Sequence, residues 1–426
     1  ATGGLLIFQH LNNTRTPRVV MPLQAPIQVA VLHSLSGPLA VSERPLADAS
    51  LLAIAELNDR GGVLGRRVQP IIIDGHSQVT ENSPFAEAAE RLVAKDEVAA
   101  VFGGFGSAGR KVIRSYFEKY DRLLFYPGLY EGLEESTSIF YTGATPNQFA
   151  LPAIRYFSQT LAVKRYYLIG TDGFRARATN VIISEEIKRL GGEVVGEHYD
   201  AINEMQFAAA IKQIERARPQ LVVNMHAGDS SVSFFRALAG SSISPGTVPV
   251  VSFLFGENEL AQLGRTSLAG HYVARTRFPQ SATATPPAKT LSQRFAAHFG
   301  SHRPLSEDME AAYYGVHLWA AAVRHAGTPE LNRVRQALKE QEYEIDGLRL
   351  RIDPSNQHIW KVFALGKIGP ENRIEALKTA TGDEPLPPLP FPGPRTRGEW
   401  EQFRDDLYRQ HAEQEAAALK NPPRKR

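Results

Sequence analysis

Residues Val98–Gly132 read VAAVFGGFGSAGRKVIRSYFEKYDRLLFYPGLYEG. An apolar run over Val98–Phe102 breaks into a glycine-rich turn with a single hydroxyl, Ser107, and a helical segment follows. A second apolar run, Leu123–Tyr126, then ends in a turn. The order strand, turn, helix, strand predicts one parallel βαβ unit. Because ligands bind outside the carboxyl ends of the strands in open α/β sheets, this segment is predicted to form one wall of a binding site.

Strand-like and helix-like segments alternate on both sides of this unit. Apolar runs at Ile27–Leu32 and Val68–Ile73 enclose a helical stretch. A second series of the same build begins with a helix at Asn147–Thr160 and continues to a strand at Val248–Phe253. The alternation predicts an α/β fold with doubly wound parallel sheets, arranged as two similar lobes.

The two ends of the chain differ from this pattern. Residues Pro385–Pro394 read PLPPLPFPGP, which predicts an extended linker. Residues Trp400–Lys420 predict a charged helix with few apolar positions, lying at the periphery. The first 25 residues are aperiodic and predict a leader. Its small apolar start, Ala1–Phe8, is either the remnant of an export signal or anchor, or a disordered stretch.

Composition excludes several classes of function. The chain of 426 residues has no cysteine, which removes thiol catalysis, CxxC redox chemistry and thiolate zinc sites. Stray thiols are a liability in an oxidising compartment, so their absence also favours an exported protein. The net charge is only +3, from 48 basic and 45 acidic residues, which argues against general nucleic-acid binding. No run of 18 apolar residues predicts a membrane span.

The motifs do not predict catalysis. No predicted helix carries an H-x-x-x-H or H-E-x-x-H pair, and no G-x-S-x-G elbow is present, so we expect no catalytic residues, no metal and no cofactor. Residues Gly104–Gly109 do match G-x-G-x-x-G, and an NAD-dependent enzyme is one interpretation. However, the next strand ends without the acidic residue that would hold the ribose. The other interpretation is that amides at the helix start, with Ser107, bind a ligand oxygen or anion.

Two further turns of the first series carry candidate ligand contacts. The turn Ser34–Gly37, with Ser36, either donates amides to a ligand or is ordinary turn chemistry. Tyr126, Tyr130 and Glu131 cluster after a strand end and suit a ligand amide or amine. The alternative is that the tyrosines pack between helices and that Glu131 caps a turn.

Strand ends of the second series add acidic and imidazole groups. Asp172, His226, Asp229 and Glu257 follow predicted strands and could accept hydrogen bonds from ligand amines. Asp172 equally suits a helix cap.

Ordered motifs connect the chain to a known family. IQVAVLHSLSG, followed by ELNDRGGVLGRRV, resembles the opening of type I periplasmic solute-binding proteins. GSAGRK, LLFYPGLYEG, FYTGATPNQ and YLIGTDGFRARATN resemble the urea and short-chain amide-binding branch of ABC transporter substrate-binding proteins. The resemblance extends from Ile27 to Ile368.

This resemblance implies two α/β lobes that close on a small polar solute, joined by three hinge crossings. The crossings are expected near Tyr141–Pro146, Ala274–Phe278 and Leu350–Pro354. The implied division is a leader over 1–25, a first lobe of 26–143 with 277–351, a second lobe of 144–276 with 352–376, and a proline-rich arm with a charged helix over 377–426.

The resemblance also implies ligand contacts in the first lobe. In the branch a serine in the glycine turn and a tyrosine in YP-x-x-YEG meet the ligand, and here these are Ser107 and Tyr126. The aromatic residue before the serine corresponds to Phe105. Gly106 and Gly128 lie in the same two turns and belong to the candidate ligand-binding set.

The chain departs from the branch in the second lobe. Where the branch reads Tyr-x-Tyr-Pro-Arg, this chain has Phe174 and Arg175 in the segment GFRAR. Near the second hinge, Arg277-Phe278 replaces an aromatic pair. Because a guanidinium matches a carboxylate, we expect a ligand larger than urea that carries an acidic group. The alternative is that both arginines face solvent at the rim of the cleft.

These observations together predict a non-enzymatic solute-binding protein, periplasmic or otherwise extracytoplasmic, with a possible membrane tether at its N-terminus. Its predicted partners are the solute and an ABC permease, with no nucleic acid. The alternative is a sensing module of the same fold that reports to a membrane sensor, a regulator or a kinase. The added C-terminal arm favours sensing, because transport does not require it.

Overall fold

The computed structural model describes residues 25–77, 84–94, 98–279, 290–300, 303–377, 382 and 384–420. The predicted leader, apart from its last residue, lies outside the described residues. The strands are β1 (Ile27–His33), β2 (Val68–Asp74), β3 (Val101–Gly103), β4 (Leu124–Tyr126), β5 (Ile139–Tyr141), β6 (Arg165–Thr171), β7 (Glu193–Asp200), β8 (Leu221–Met225), β9 (Val250–Ser252), β10 (Tyr272–Arg275), β11 (Tyr343–Ile345), β12 (Leu348–Leu350), β13 (Ala364–Ile368) and β14 (Ile374–Ala376). The helices are α1 (Ala40–Asp59), α2 (Pro84–Ala94), α3 (Ser107–Lys119), α4 (Pro146–Gln159), α5 (Phe174–Arg189), α6 (Ala208–Ala217), α7 (Gly228–Ala239), α8 (Glu257–Ala261), α9 (Leu291–Phe299), α10 (Glu307–Ala326), α11 (Leu331–Glu340) and α12 (Arg397–Lys420).

The first lobe is built on a parallel sheet with the strand order β2-β1-β3-β4-β5. Its strands are short apolar runs, and β3, β4 and β5 are buried along their whole length, as expected for a sheet covered on both faces. Helix α10 packs against α1 and against β3 and β4, and it is buried on nearly all sides. The hydroxyl of Ser306 accepts from the Met309 amide to cap the start of α10, and Gly327 ends the helix in a left-handed conformation.

The second lobe is built on a sheet with the strand order β14-β13-β10-β9-β8-β6-β7. Strands β6 to β10 run parallel, whereas β13 and β14 pair antiparallel. The prediction of parallel sheets therefore holds for the central strands, and one edge is antiparallel because β13 enters the sheet beside β10 from the opposite end.

The chain passes between the lobes several times. It leaves the first sheet at β5 and enters the second lobe with α4, and it returns to the first lobe between β10 and α9. It crosses again between β12 and β13. Because both sheets are wound from parallel βαβ units, their strand ends and helix N-termini face each other across the gap between the lobes.

The turn after β3 depends on one close backbone approach. Gly103 has φ of +155°, and a Cβ atom there would lie 2.0 Å from the carbonyl oxygen of Leu32. Only glycine fits this position, so the turn that follows is brought directly beside the end of β1.

None of the helices in the described part of the chain combines the length and the apolar character that a bilayer crossing requires.

Candidate functional site

The two lobes touch each other directly at strand ends and helix N-termini, a region we call the interlobe junction. The amide of Asp229 donates to the carbonyl of Pro38 at 3.2 Å. The hydroxyl of Ser42 donates to Glu259 at 2.5 Å. Arg175 donates to the carbonyl oxygen of Phe105. In each pair one partner belongs to the first lobe and the other to the second, so these contacts form only when the lobes are close together.

Arg175 is the cation at the centre of this junction. Its side chain is 8% exposed, and its guanidinium carbon lies 4.5 Å from the centre of the Phe105 ring. Nη2 donates to the Phe105 carbonyl, whereas the buried Nη1 atom has no hydrogen-bond partner. Arg175 therefore does not face solvent at the rim, and it retains a donor for a further acceptor.

A buried arginine, Arg110, donates hydrogen bonds beside the glycine-rich turn. Arg110 is fully buried; its Nη2 donates to Glu131 at 2.6 Å and its Nε donates to Glu134 at 3.0 Å. The Ser107 hydroxyl donates to Glu131 at 2.6 Å and accepts from Arg110 at 3.2 Å. The Tyr126 hydroxyl accepts from Arg110 at 3.3 Å. We call this set the Arg110 network.

The Arg110 network engages the hydroxyls that the family resemblance assigned to the ligand. The Tyr126 hydroxyl donates to the Phe105 carbonyl, and both functions of the Ser107 hydroxyl are used within the protein. Glu131 pairs with Arg110 and caps no turn in this network. Burial opposes ionisation of Glu134, but Arg110 and Arg114 outweigh it and lower the pKa of its carboxyl.

Tyr130 belongs to a stack of aromatic rings at the first crossing. The rings of Tyr141 and His358 stack with centroids 4.0 Å apart, and Tyr130 stacks on Tyr141 at 5.2 Å. The Tyr130 hydroxyl hydrogen-bonds to the imidazole of His358. Burial lowers the pKa of His358 to about 3, so this ring is neutral. Tyr130 is thus placed in the packing between β5 and the third crossing.

Phe174 contacts the C-terminal helix. Its ring stacks on Tyr408 with centroids 3.9 Å apart and an interplanar angle of 10°. The same cluster contains Trp400, which is fully buried. Helix α12 is therefore peripheral to both sheets, as predicted, but its first turns are packed against the lobes rather than solvated.

His226 is held by acceptors of the second lobe. Its Nε2 atom lies 2.9 Å from Asp200, and its Nδ1 atom lies 2.9 Å from the side-chain oxygen of Asn224. Burial lowers the pKa of His226 despite the attraction of Asp200. Both ring nitrogens thus lie within hydrogen-bond distance of second-lobe oxygens, and a neutral ring donates to one of them.

Glu257 is a buried carboxyl with spare hydrogen-bonding capacity. Its Oε1 atom has no hydrogen-bond partner, and burial raises the pKa of Glu257 to about 7, although Arg275 attracts the charged form. Arg275 is also buried; it donates to the Phe253 carbonyl at 2.5 Å and lies 3.5 Å from Asp308. The Nε atom of Arg275 has no partner. An unpartnered acceptor on Glu257 and an unpartnered donor on Arg275 thus remain in the segments that follow β9 and end β10.

The remaining candidates lie around these groups. Ser36 donates to Asp74 at 2.8 Å within its turn. Gly128 packs under Tyr126, whose hydroxyl would lie 2.9 Å from a Cβ atom there, whereas a Cβ atom on Gly106 would meet no atom within 4 Å. Arg277 is half-buried and lies 3.5 Å from Glu310.

An opening leads to the junction from one side. A cavity of about 540 Å³ is lined from both lobes, and the exposed Asp229 is in its wall. Its lining also includes the arginines Arg44, Arg236 and Arg303. In the described residues, no group of three or more His, Asp or Glu side chains is placed to hold a metal ion.

The structure brings Phe105, Arg175 and the start of α7 together at the junction, and it directs Ser107, Tyr126 and Tyr130 into internal networks. Sequence reasoning missed Arg110 and Arg275. A signal for Arg110 was available, because it lies one helical turn after Ser107 and two glutamates, Glu131 and Glu134, follow the next strand. No local pattern marks Arg275.

Residues 27–397 match the protein family described as "Periplasmic binding protein domain". The chain belongs to this family of periplasmic binding proteins. One relative, the Leu/Ile/Val-binding protein homolog 7 of Brucella melitensis biotype 1, is 22% identical over 360 residues, which cover 79% of this chain and 88% of that protein. Family members are binding proteins, which confirms the prediction that this periplasmic binding protein is not an enzyme.

Solved structures of other binding proteins share the fold. The branched-chain amino acid transporter substrate binding protein LivJ of Streptococcus pneumoniae, in complex with isoleucine, superposes with a TM-score of 0.72 at 20% identity, covering 82% of this chain and 98% of that chain. A solute binding protein from R. palustris in complex with 4-hydroxybenzoate gives a TM-score of 0.71 at 17% identity, covering 83% and 96%. The predicted α/β fold of type I periplasmic binding proteins is confirmed. The narrower urea and amide branch stays a prediction.

Proposed function

We propose that this periplasmic binding protein encloses a small polar solute between its lobes, that the solute has an amide or urea group and a carboxylate, and that it is delivered to an ABC importer. The observation that carries the proposal is the buried Arg175, whose Nη1 atom has no partner at the interlobe junction.

A carboxylate would complete the hydrogen bonding of Arg175. A buried charge without a full set of partners is costly, and a guanidinium presents its donors in a fork that matches two carboxylate oxygens. Because Nη2 donates to the Phe105 carbonyl and Nη1 has no partner, an acceptor on the solute would satisfy the N–H donors of Nη1. The Phe105 ring under the guanidinium keeps this face of the site dry.

The N-terminus of α3 supports an acidic group as well. The helix begins at Ser107, two residues after Phe105, and its first N–H groups have no partners inside the helix. A helix N-terminus favours negative charge. Gly106 leaves open space beside it, so a ligand oxygen can approach the backbone there.

Glu257 supports the amide or urea group. Its unpartnered oxygen suits the N–H donors of an amide, and its raised pKa, about 7, allows the carboxyl to accept or to donate near neutral pH. Ser107 and Tyr126 are used by the Arg110 network, so we propose that the first lobe contributes mainly backbone groups. His226, Asp229 and Arg277 stay in the proposed set as surrounding residues.

Similar proteins of known structure support the proposal that the solute carries a carboxylate and that it is delivered to an importer. Isoleucine and 4-hydroxybenzoate, the ligands named in the two neighbouring structures, both carry a carboxylate, and LivJ is described as part of a transporter. The description of the family as periplasmic supports an extracytoplasmic location. Each hydrogen bond to the solute is strengthened when closure removes it from water.

The test is titration calorimetry of the whole chain with N-carbamoylglycine, a urea that carries a carboxylate, against urea, acetamide and isoleucine. We expect N-carbamoylglycine to bind and urea to bind at least tenfold more weakly. Arg175→Gln should weaken binding of the carboxylate by roughly 10- to 100-fold, which is the loss of one hydrogen bond to a charged group. Arg177→Gln, two residues further along α5 and paired with Asp172, is the matched control and should bind normally. Tight binding of urea or acetamide without any binding of a carboxylate contradicts the proposal.

A further inference from the structure

Tyr408 of α12 is held by both lobes at once. Its ring stacks on Phe174 of the second lobe at a centroid distance of 3.9 Å. The Nζ atom of Lys111, which belongs to α3 of the first lobe, lies 3.6 Å from the centre of the same ring. A stacked aromatic pair and a cation over an aromatic face are each favourable, and both contacts meet on one side chain.

Arginines that precede Tyr408 in the chain also contact both lobes. Arg404 donates to the carbonyl of Leu133 in the first lobe at 3.1 Å. Arg397 donates to Glu135 of the first lobe at 2.7 Å, whereas Arg395 donates to Glu185 of the second lobe at 2.7 Å. The C-terminal arm and helix therefore have polar anchors in both lobes.

The apolar side chains around Trp400 also come from both lobes. Trp400 is fully buried, and its indole N–H donates to the Pro392 carbonyl at 2.6 Å, which fixes the arm to the helix. The cluster around Trp400 contains Leu133 from the first lobe and Ala178 and Ile182 from α5 of the second. Burial of Trp400 is thus shared between the lobes.

The bridge is next to the interlobe junction. Phe174, which Tyr408 covers, is the residue before Arg175 in the first turn of α5. Lys111 lies in the second turn of α3, the helix that starts after Phe105. Separation of the lobes moves the starts of α3 and α5 apart, so Tyr408 would lose Lys111 or Phe174.

We propose that α12 is a strap that stabilises the closed arrangement of the lobes. A segment that makes its full set of contacts only when the lobes are together shifts the equilibrium toward that arrangement by the free energy of those contacts. Helix α12 begins where the family match ends, at residue 397, so the strap is an addition to the shared fold. The proposal rests on the two-lobed fold and not on the chemistry of the solute.

The distance between the lobes tests the strap. The chain has no cysteine, so Asp59→Cys at the end of α1 and Lys212→Cys in α6 place two spin labels, one on each lobe, without other changes. Pulsed electron paramagnetic resonance then gives the distance distribution of the whole chain without added solute. We expect one short distance, with a longer-distance population of no more than roughly 10%.

Tyr408→Ala should create a dominant longer-distance population, while Tyr408→Phe keeps the ring and should give the parent distribution. Lys111→Gln removes the cation that Tyr408 contacts in the first lobe and should also increase the longer-distance population. This variant tests the strap even if Tyr408→Ala folds poorly. Thermal unfolding of each variant verifies folding. Folded Tyr408→Ala and Lys111→Gln proteins with the parent distances overturn the strap, whatever solute is found to bind.

Discussion

Burial of the Glu257 carboxyl makes the stability of the folded protein depend on pH. Burial raises its pKa from an ordinary 4.5 to about 7, against the attraction of Arg275. Below pH 4.5 the carboxyl is protonated in both the folded and the unfolded chain, so it contributes no pH-dependent penalty. Between pH 4.5 and 7 the unfolded chain releases the proton and the folded chain retains it, so the folded state loses stability as the pH rises.

Glu257→Gln should remove this dependence. The amide stays neutral at every pH, so we expect the free energy of unfolding of the parent to fall by about 3 kcal/mol more than that of the variant between pH 4.5 and pH 8. Glu310, whose pKa burial also raises, is present in both proteins, so its contribution cancels. Asp308 repels the charged form of Glu257, so part of the expected difference reflects this interaction. Urea denaturation at the two pH values measures the difference. The exposed Glu375→Gln is the control, and a variant that follows the parent across this range would show that Glu257 is not buried as described.

At the residue scale, sequence could identify side chains near the site but not their partners. Arg175 stood out because it replaces a tyrosine, and it is indeed at the junction. Ser107 and Tyr126 were predicted to meet the ligand, yet both hydroxyls are bound by Arg110 and the groups around it. A hydroxyl in a glycine turn looks the same in sequence whether its acceptor is a ligand or a glutamate from the next loop.

Helix α3 is attached to the loops after β4 by a buried ion network rather than by apolar packing alone. Arg110 on α3 is fully buried and pairs with Glu131 and Glu134, and it lies 4.2 Å from the centre of the Tyr130 ring. Removing one partner from such a network leaves opposite charges buried without compensation. The position of α3, and with it the glycine-rich turn, therefore depends on this one cation.

Arg110→Met should destabilise the folded protein by about 3 to 5 kcal/mol, because the two glutamates lose their main cation. Chemical denaturation measures the loss. Arg114→Met is the matched control on the same helix, and its loss should be clearly smaller, because Arg114 is partly exposed and lies 3.5 Å from Glu134. The triple variant Arg110→Met, Glu131→Gln, Glu134→Gln should recover part of the stability. An Arg110→Met protein as stable as the parent would contradict the network.

Most elements were predictable because their apolar pattern continues over enough residues to be recognised. The strands predicted at Ile27–Leu32 and Val68–Ile73 and the helix predicted at Asn147–Thr160 agree with β1, β2 and α4 to within one residue at each end. Strand β5 and helix α8 were missed, because three to five residues are too few to show a period. The burial of Trp400 in α12 was missed for a different reason: a helix with few apolar positions can still bury one large side chain when aromatic and cationic neighbours complete the contact.

At the scale of the whole molecule, the alternation of strands and helices predicts two lobes, but it contains no information on how closely they approach. That depends on pairs far apart in the chain. Gly228 of the second lobe has φ of +62°, and a Cβ atom there would lie 2.4 Å from the carbonyl oxygen of Pro38 in the first lobe. The absence of a side chain at Gly228 is therefore needed for contact between the lobes.

Gly228→Ala should hold the lobes apart. The added methyl group meets the Pro38 carbonyl only in the closed arrangement, whereas the strain of a left-handed alanine, about 1 kcal/mol, is present whether the lobes are open or closed. Gly264→Ala is the matched control, because Gly264 has φ of +59° and its Cβ atom would meet nothing within 4 Å. Small-angle X-ray scattering should give a larger radius of gyration for Gly228→Ala than for the parent, and the parent value for Gly264→Ala. Equal values for all three proteins would mean that the contact between Gly228 and Pro38 does not limit closure.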